Sequence, residues 1–352
     1  MAQIDYPIRN RPAKILLAMV DRLLRPFSHV PKPIPPPKSL LLSNSAHLGD
    51  VILTTSLLPP LKAAYPDLKI GMLVGSWSQC VIENHPLIDH IHTLDHWKTN
   101  RSPLSWQKKF RHYQRTRSQA LQEIQQVGYD IAIDCPFHFP NFAPLLFRAK
   151  IPTRIGFNSA GFGPLLTHPC EWSDRSQAAA LTFFSLLENL PSLSQYRDKI
   201  CPTLPIQRPF SKRNYLVIHI GSGNPNKEWS KERWRDLAKL LIADGYQLYF
   251  TGQGERERKT IEWITKDLPQ TENLCDQLSW QAFVSVIDGA KQLIGVDSCA
   301  GHVAAAMDTP SLLLYADRHT SNLWKPYSEK ATIITDLHNV QPQTIYSKIT
   351  HE

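Results

Sequence analysis

The hydrophobic pattern switches repeatedly between short apolar runs and a helical period, from residue 40 to about residue 336. The runs at 40–43, 69–74, 90–94 and 129–134 are bounded by polar or turn residues, which predicts buried strands. Residues 154–156 predict a short edge strand. Helices are predicted from residue 51 onward, over 105–127 and over about 176–190. Pro59-Pro60 would interrupt the first of these, because neither proline donates an amide and each crowds the preceding turn. One helix should stop at Leu57 and another begin at the prolines. A second block follows Cys201-Pro202-Thr203-Leu204-Pro205, with strands at 215–220, 247–251, 292–296 and 311–315. Helices should start at Ser230, after Gly254, at Ser279 and at Ala300. Trp234, Leu237, Ala238 and Leu241 share one face of the first, and Gly245 is placed to stop it. Such alternation predicts an α/β protein with two Rossmann-like, doubly wound domains facing across a cleft. Their expected bounds are 39–205 and 206–336, with 337–352 a C-terminal tail or helix.

Ahead of this, residues 11–27 form an amphipathic pattern, with Leu16, Met19, Val20, Leu23, Leu24 and Phe27 on one face. A run of prolines from Pro31 to Pro37 then predicts an extended spacer, so 1–38 reads as a separate helix and linker. Two readings compete: the helix lies in a membrane interface, or it docks on the protein. Docking is the commoner arrangement. The apolar run at 15–20 is far too short to span a bilayer.

Charge sharpens this picture. The net +8 is concentrated near the N-terminus: residues 1–38 carry seven Lys/Arg against Asp5 and Asp21, and residues 96–122 carry seven and no acid. Anionic lipid or a phosphorylated acceptor would suit these segments, 1–38 and 98–117 in particular, and a solvated helix face would too. Trp97, Trp106 and Tyr113 are interleaved with the second cluster, yet no nucleic-acid-binding module surrounds them, so no nucleic-acid partner is expected. The six cysteines show no CxxC pair, and no signal-peptide pattern opens the chain, which points to the cytoplasm.

Four segments could carry chemistry. His47-Leu48-Gly49-Asp50 follows the first strand, where Asp50 could accept a proton from an attacking hydroxyl or simply stabilise a helix N-terminus. After the strand at 215–220, a flexible loop with Gly221 and Ser222 leads to Lys227, a mobile charge suited to a diphosphate. Gly252-Gln253-Gly254-Glu255 offers a carboxylate for ribose hydroxyls, but the GxGxxG pattern fails at Glu257. Asp297-Ser298-Cys299-Ala300-Gly301-His302 places a carboxylate, a hydroxyl and unpaired amides at a strand-to-helix junction that favours anions. No DxD pair, HExxH or clustered Cys/His set supports a metal site, and no GxSxG supports a serine hydrolase.

Taken in order, Gly49-Asp50 with Thr54-Thr55, Gly221 to Trp229, Gly252 to Glu255, Asp297-Ser298 with His302, and Trp324-Lys325-Pro326 resemble the heptosyltransferase family, glycosyltransferase family 9, of GT-B fold. The resemblance covers about 40–326. It implies an inverting, metal-independent transfer of a heptose-like sugar from an ADP-linked donor to a lipid-linked or cell-surface glycan such as lipopolysaccharide core, at the inner face of the membrane. No cofactor is implied beyond that co-substrate. By the same resemblance Asp50 is the catalytic base, while Ser222, Lys227, Glu255, Asp297, Ser298 and His302 hold the donor, with Gly49, Gly221, Gly252 and Gly254 in the loops. Three departures stand out: Cys299 where the family has glycine, Asn44 where a basic residue is frequent, and Pro59-Pro60 behind Asp50. A non-catalytic nucleotide-sugar binder and a GT-B epimerase are the alternatives.

Overall fold

The structure, a computed structural model, describes residues 6–8, 10–205 and 214–349. Contacts divide the chain into two units, Met1–Arg175 with Ala180–Ile200, and Ser176–Ala179 with Cys201–Glu352. The expected boundary at 206 lies outside the described residues, as do Asp5 and Arg9 of the basic N-terminal segment.

In the first unit β1 (Ser39–Ser43), β2 (Lys69–Val74), β3 (His90–Thr93), β4 (Ile131–Asp134), β5 (Thr153–Phe157) and β6 (His168–Cys170) form a parallel sheet in the order β3-β2-β1-β4-β5-β6. Leu40, Leu41 and Leu42 are all fully buried, so β1 is covered on both faces, as a parallel sheet requires. The strand expected at the edge, β5, is internal: β6 pairs beyond it through Ile155 and His168. His168-Pro169-Cys170 carries no apolar alternation, and Pro169, lacking an amide, suits an edge.

The helices of this unit are α1 (Arg11–Leu24), α2 (Leu48–Thr55), α3 (Leu58–Ala64), α4 (Trp106–Val127), α5 (Ala143–Arg148) and α6 (Ala179–Leu187). α2 starts three residues earlier than the sequence suggests. The prolines fall in the first turn of α3, where the missing amides have no intrahelical partner to lose. Phe183 and Phe184 of α6 are buried, and Phe183 lies 6.0 Å from the Phe137 ring.

Helix α1 docks on this unit. Leu17 packs where a side chain on Gly161 would stand, and the Asp21 carboxylate accepts from the Tyr6 hydroxyl and the Phe162 amide, both at 2.7 Å. The proline segment is extended but is no free spacer: Ile34 is buried and the Lys32 carbonyl lies 2.9 Å from His168 Nε2.

Asp134 ends β4 beside β1, where it accepts from Ser43 Oγ and the Phe142 amide at 2.8 Å each. Burial pushes its pKa up to about 7, against those two bonds. The folded state therefore keeps a proton that the unfolded state gives up near the ordinary carboxylate pKa, so stability falls as pH rises from about 4 to about 7. Asp134→Asn carries no such proton. Over that window its melting temperature should rise relative to that of the parent, as measured by thermal unfolding at a series of pH values.

The second unit repeats the plan. Its strands are β7 (Tyr215–His219), β8 (Gln247–Thr251), β9 (Thr271–Asn273), β10 (Gln292–Val296), β11 (Ser311–Leu314) and β12 (Ala331–Ile334), in the parallel order β12-β11-β10-β7-β8-β9. Strands β9 and β12 were not expected: both are short, partly exposed edge strands. Its helices are α7 (Lys231–Ala243), α8 (Glu255–Thr265), α9 (Trp280–Asp288), α10 (Cys299–Ala306), α11 (Arg318–Trp324) and α12 (Pro342–Tyr346). Ser230 and Ser279 cap α7 and α9 as expected, and Gly245 (φ 84°) follows the end of α7. In the C-terminal tail, α12 sends Ile345 into the core of this unit.

In each unit the chain reverses direction across the sheet between two central strands, β1 and β4 or β7 and β10. The crevice beyond the carboxyl ends of such a pair is where open α/β sheets bind ligands.

Candidate active site

In the second unit the residues following β7 and β10 meet at that crevice. Lys227 Nζ donates to Asp297 Oδ2 at 2.6 Å. The Asp297 side chain is 9% exposed and Lys227 34%, so the pair is half sheltered. Ser298 is the N-cap of α10, and its hydroxyl is buried with no hydrogen-bond partner among the described residues. A cap of this type would ordinarily accept from an amide one turn on. Here the hydroxyl is left available beside a lysine ammonium and a helix N-terminus, which together suit an anion. His302 is buried one turn further along α10. His219 ends β7, and burial lowers its pKa to about 4, so it is neutral at pH 7.

The loop after β7 is not the flexible tether expected from its glycines. The Ser222 amide donates to Glu228 Oε1 at 3.0 Å, Ser222 Oγ donates to the Asn224 carbonyl at 2.6 Å, and residues 225–227 form a 3-10 turn. Arg256 at the start of α8 grips both Glu228 oxygens. The Glu257 carboxylate folds back to accept from the Gln253 amide at 2.9 Å and fills the space over Gly221 and Gly252. Thus the residue that breaks GxGxxG supplies its own anion at the β8–α8 turn. Burial raises its pKa, with the Gln253 bond opposing. A side chain on Gly221 would come within 2.0 Å of that carboxylate. Gly221→Ala should expel it and lose its bond, costing about 1–3 kcal/mol in thermal or denaturant unfolding. Glu255 pairs instead with Arg258 and Lys259 on the surface of its own helix. Gly254 (φ 89°) sets the turn into α8.

In the first unit Gly49 and Asp50 lie in the first turn of α2. Asp50 Oδ2 accepts from the His47 amide at 3.1 Å, so the helix-terminal role is real. The other carboxylate oxygen accepts no hydrogen bond among the described residues and can take a proton. Asn44 and Thr54 hold the turn from behind: Asn44 Nδ2 donates to Thr54 Oγ1 at 2.9 Å, and Thr54 donates to the Asp50 carbonyl at 2.8 Å. Surrounding protein lowers the pKa of His47 and of His138, the latter even though it keeps solvent access, and in both the Asp50 charge pulls the other way. Arg101 acts on His47, and Lys98 acts on His138. A carboxylate acting on two imidazoles, each of which also feels a nearby cation, suits proton abstraction from a hydroxyl on an anionic substrate.

Residues 117–349 match the family model of glycosyltransferase family 9 (heptosyltransferase). The chain belongs to that family. It is 23% identical to lipopolysaccharide heptosyltransferase 1 of Pseudomonas aeruginosa over 290 residues, 78% of each chain. It is also 23% identical to lipopolysaccharide heptosyltransferase 2 of Salmonella typhimurium, covering 86% of this chain and 90% of that one. The solved structure of the E. coli heptosyltransferase WaaC with ADP matches with a TM-score of 0.71 at 17% identity, covering 88% of this chain and 98% of that one. The fold is GT-B, and the protein is a glycosyltransferase.

Within this family 9 transferase the displaced glycine has a packing reason. A side chain on Gly301 would come within 2.7 Å of Leu313 and 3.1 Å of Pro326, so α10 approaches β11 closely at position 301, while Cys299 occupies the first turn. Lys98 and Arg101 fall in the basic segment 98–117 expected to meet an anionic partner, whereas His138 is a functional candidate that sequence reasoning missed. The signal for His138 was its place just after β4, since the segments following the first and fourth strands flank the crevice in this strand order. Among the described residues no group of three His, Cys, Asp or Glu is placed to hold a metal ion.

Proposed function

We propose that this glycosyltransferase moves a heptose-like sugar from an ADP-linked donor to a hydroxyl of a lipid-linked glycan such as lipopolysaccharide core, with inversion and without a metal. The observation that carries the reading is the Lys227–Asp297 pair beside the unsatisfied Ser298 hydroxyl at the N-terminus of α10. In the reaction the acceptor oxygen bonds to the anomeric carbon as the bond from that carbon to the phosphate oxygen breaks. The departing electron pair goes to the diphosphate, where Lys227, Ser298 and the α10 amides bear the charge. Asp50 takes the acceptor proton on its unbonded oxygen. Asp297 accepts from a sugar hydroxyl, His302 holds phosphate or sugar, Ser222 lines the loop, and Glu255 exchanges its surface partners for the ribose hydroxyls.

The sequence relatives named above are lipopolysaccharide heptosyltransferases, which supports a glycolipid acceptor and a peripheral place at the cytoplasmic face of a membrane. Among the described residues no helix is long and apolar enough to cross a membrane. Lys98, Arg101 and the basic face of α4 suit the acid groups of such an acceptor.

The test is incubation of the full chain with ADP-heptose and a lipopolysaccharide core lacking its heptose. Mass spectrometry should find one heptose added and ADP released, and NMR should find the anomeric configuration inverted. Turnover should be the same with excess chelator. Donor binding without transfer across a panel of sugars and acceptors would defeat the reading.

A further inference from the structure

The N-terminal helix does more than cover the first unit. One edge of α1 is fixed by Leu17 against Gly161 and by the buried Asp21, both of whose oxygens are already hydrogen-bonded. The edge turned outward carries Ile15, Leu16, Met19 and Leu23, which are 61%, 63%, 58% and 75% exposed. Positions 15, 19 and 23 are successive turns of one stripe, and 16 lies beside it, so this is a continuous patch. Val30, just beyond the helix, is exposed as well. Contiguous apolar surface of this kind marks an interaction site, whereas single exposed apolar residues do not.

Between the docked edge and the apolar edge runs a cavity of about 980 Å³, contained within the first unit. Lys14, Arg22 and Arg25 line it from α1, His29 follows, and Arg175 and Trp172 stand on the far wall, the guanidinium 5.2 Å from the ring centroid. Among the described residues the lining acids are Asp21, occupied by Tyr6 and Phe162, and the exposed Glu171; Lys14 and Arg175 are engaged by other groups, so Arg22 and Arg25 are the cations the cavity offers. Apolar patch, basic edge and cavity thus succeed one another around a single rigid helix. Interfacial helices share that sequence of surfaces: apolar side chains enter the acyl boundary, and basic side chains reach the headgroups beside it.

We propose that the cavity along α1 is a seat for the phosphate headgroup of an anionic membrane lipid, whose bilayer receives Ile15, Leu16, Met19 and Leu23. This names the membrane partner of the transfer reaction proposed above and adds a site apart from the residues assigned to that chemistry. A soluble phosphate would suit Arg22 and Arg25 but would leave the apolar patch unexplained.

Sedimentation of the full chain with phosphatidylcholine vesicles, with and without phosphatidylglycerol, tests the proposal. Binding should be at least about tenfold tighter to the anionic vesicles. Arg22→Gln with Arg25→Gln should bring it down to the level of plain phosphatidylcholine, and Leu16→Ser with Leu23→Ser should weaken it on both. All four positions are exposed, so unchanged melting temperatures should accompany these losses. Excess inorganic phosphate at matched ionic strength should leave vesicle binding intact. Equal binding to both vesicle types, undiminished binding by the arginine pair, or displacement by inorganic phosphate would overturn the site. Turnover on a delipidated acceptor is the control and should be unchanged in both double variants. Vesicle binding without any transfer would defeat the proposed reaction alone; transfer without vesicle binding would defeat the lipid seat alone.

Discussion

Asp50→Asn is expected to lower turnover by about 10²- to 10⁴-fold while leaving the protein folded and able to bind donor. The asymmetry follows from how the carboxylate is held. One oxygen accepts from the His47 amide at 3.1 Å, and an asparagine oxygen can keep that bond. What disappears is the second oxygen as a proton acceptor, together with a negative charge in the first turn of α2, worth about 0.3–1 kcal/mol. Donor affinity by calorimetry and melting temperature should therefore move little. Asp50→Ala should show the same kinetic loss with a larger drop in stability, because the His47 amide then loses its partner. A variant with Asn at 50 that turned over at the parental rate would remove Asp50 from the role of base.

Lys227→Ala should reduce kcat/KM by about 10²- to 10³-fold, the usual effect of removing one charge-stabilising group from a transition state. It also strands the Asp297 carboxylate, which is only 9% exposed. Breaking a buried pair on one side costs about 3–5 kcal/mol, and because Lys227 is one-third exposed the loss here should fall at or below the low end of that range. Two effects are thus mixed in one variant. Combining Lys227→Met with Asp297→Asn removes both charges and should recover most of the lost stability. Turnover should stay low. Recovery of turnover along with stability would mean that the lysine serves the fold and not the diphosphate.

Much of this was legible in the chain. The buried strands betrayed themselves because both their faces are apolar, and caps such as Ser230 and Ser279 announced their helices. The edge strands β6, β9 and β12 did not: three or four residues with one exposed face carry too little periodicity, and pairing with a neighbour decides them. Asp50, Lys227 and Ser298 were readable because each follows a strand at a turn. The clamp of Arg256 on Glu228, and the return of Glu257 against Gly221, depend on two loops meeting, which no local pattern reports. The N-terminal helix shows a further limit. A hydrophobic stripe announces an apolar face but not what covers it, and in α1 the buried contacts run through Leu17 and Asp21, with most of the predicted stripe turned outward.

The strand order of the first unit is complete by residue 170, yet that unit reclaims residues 180–200 after the chain has already contributed 176–179 to the other. Phe183 and Phe184 belong to its interior. During synthesis, then, the nascent chain must extend well past its sixth strand before this half can close around its aromatic residues. Until that length has left the ribosome, the exposed interior is a natural client for chaperones.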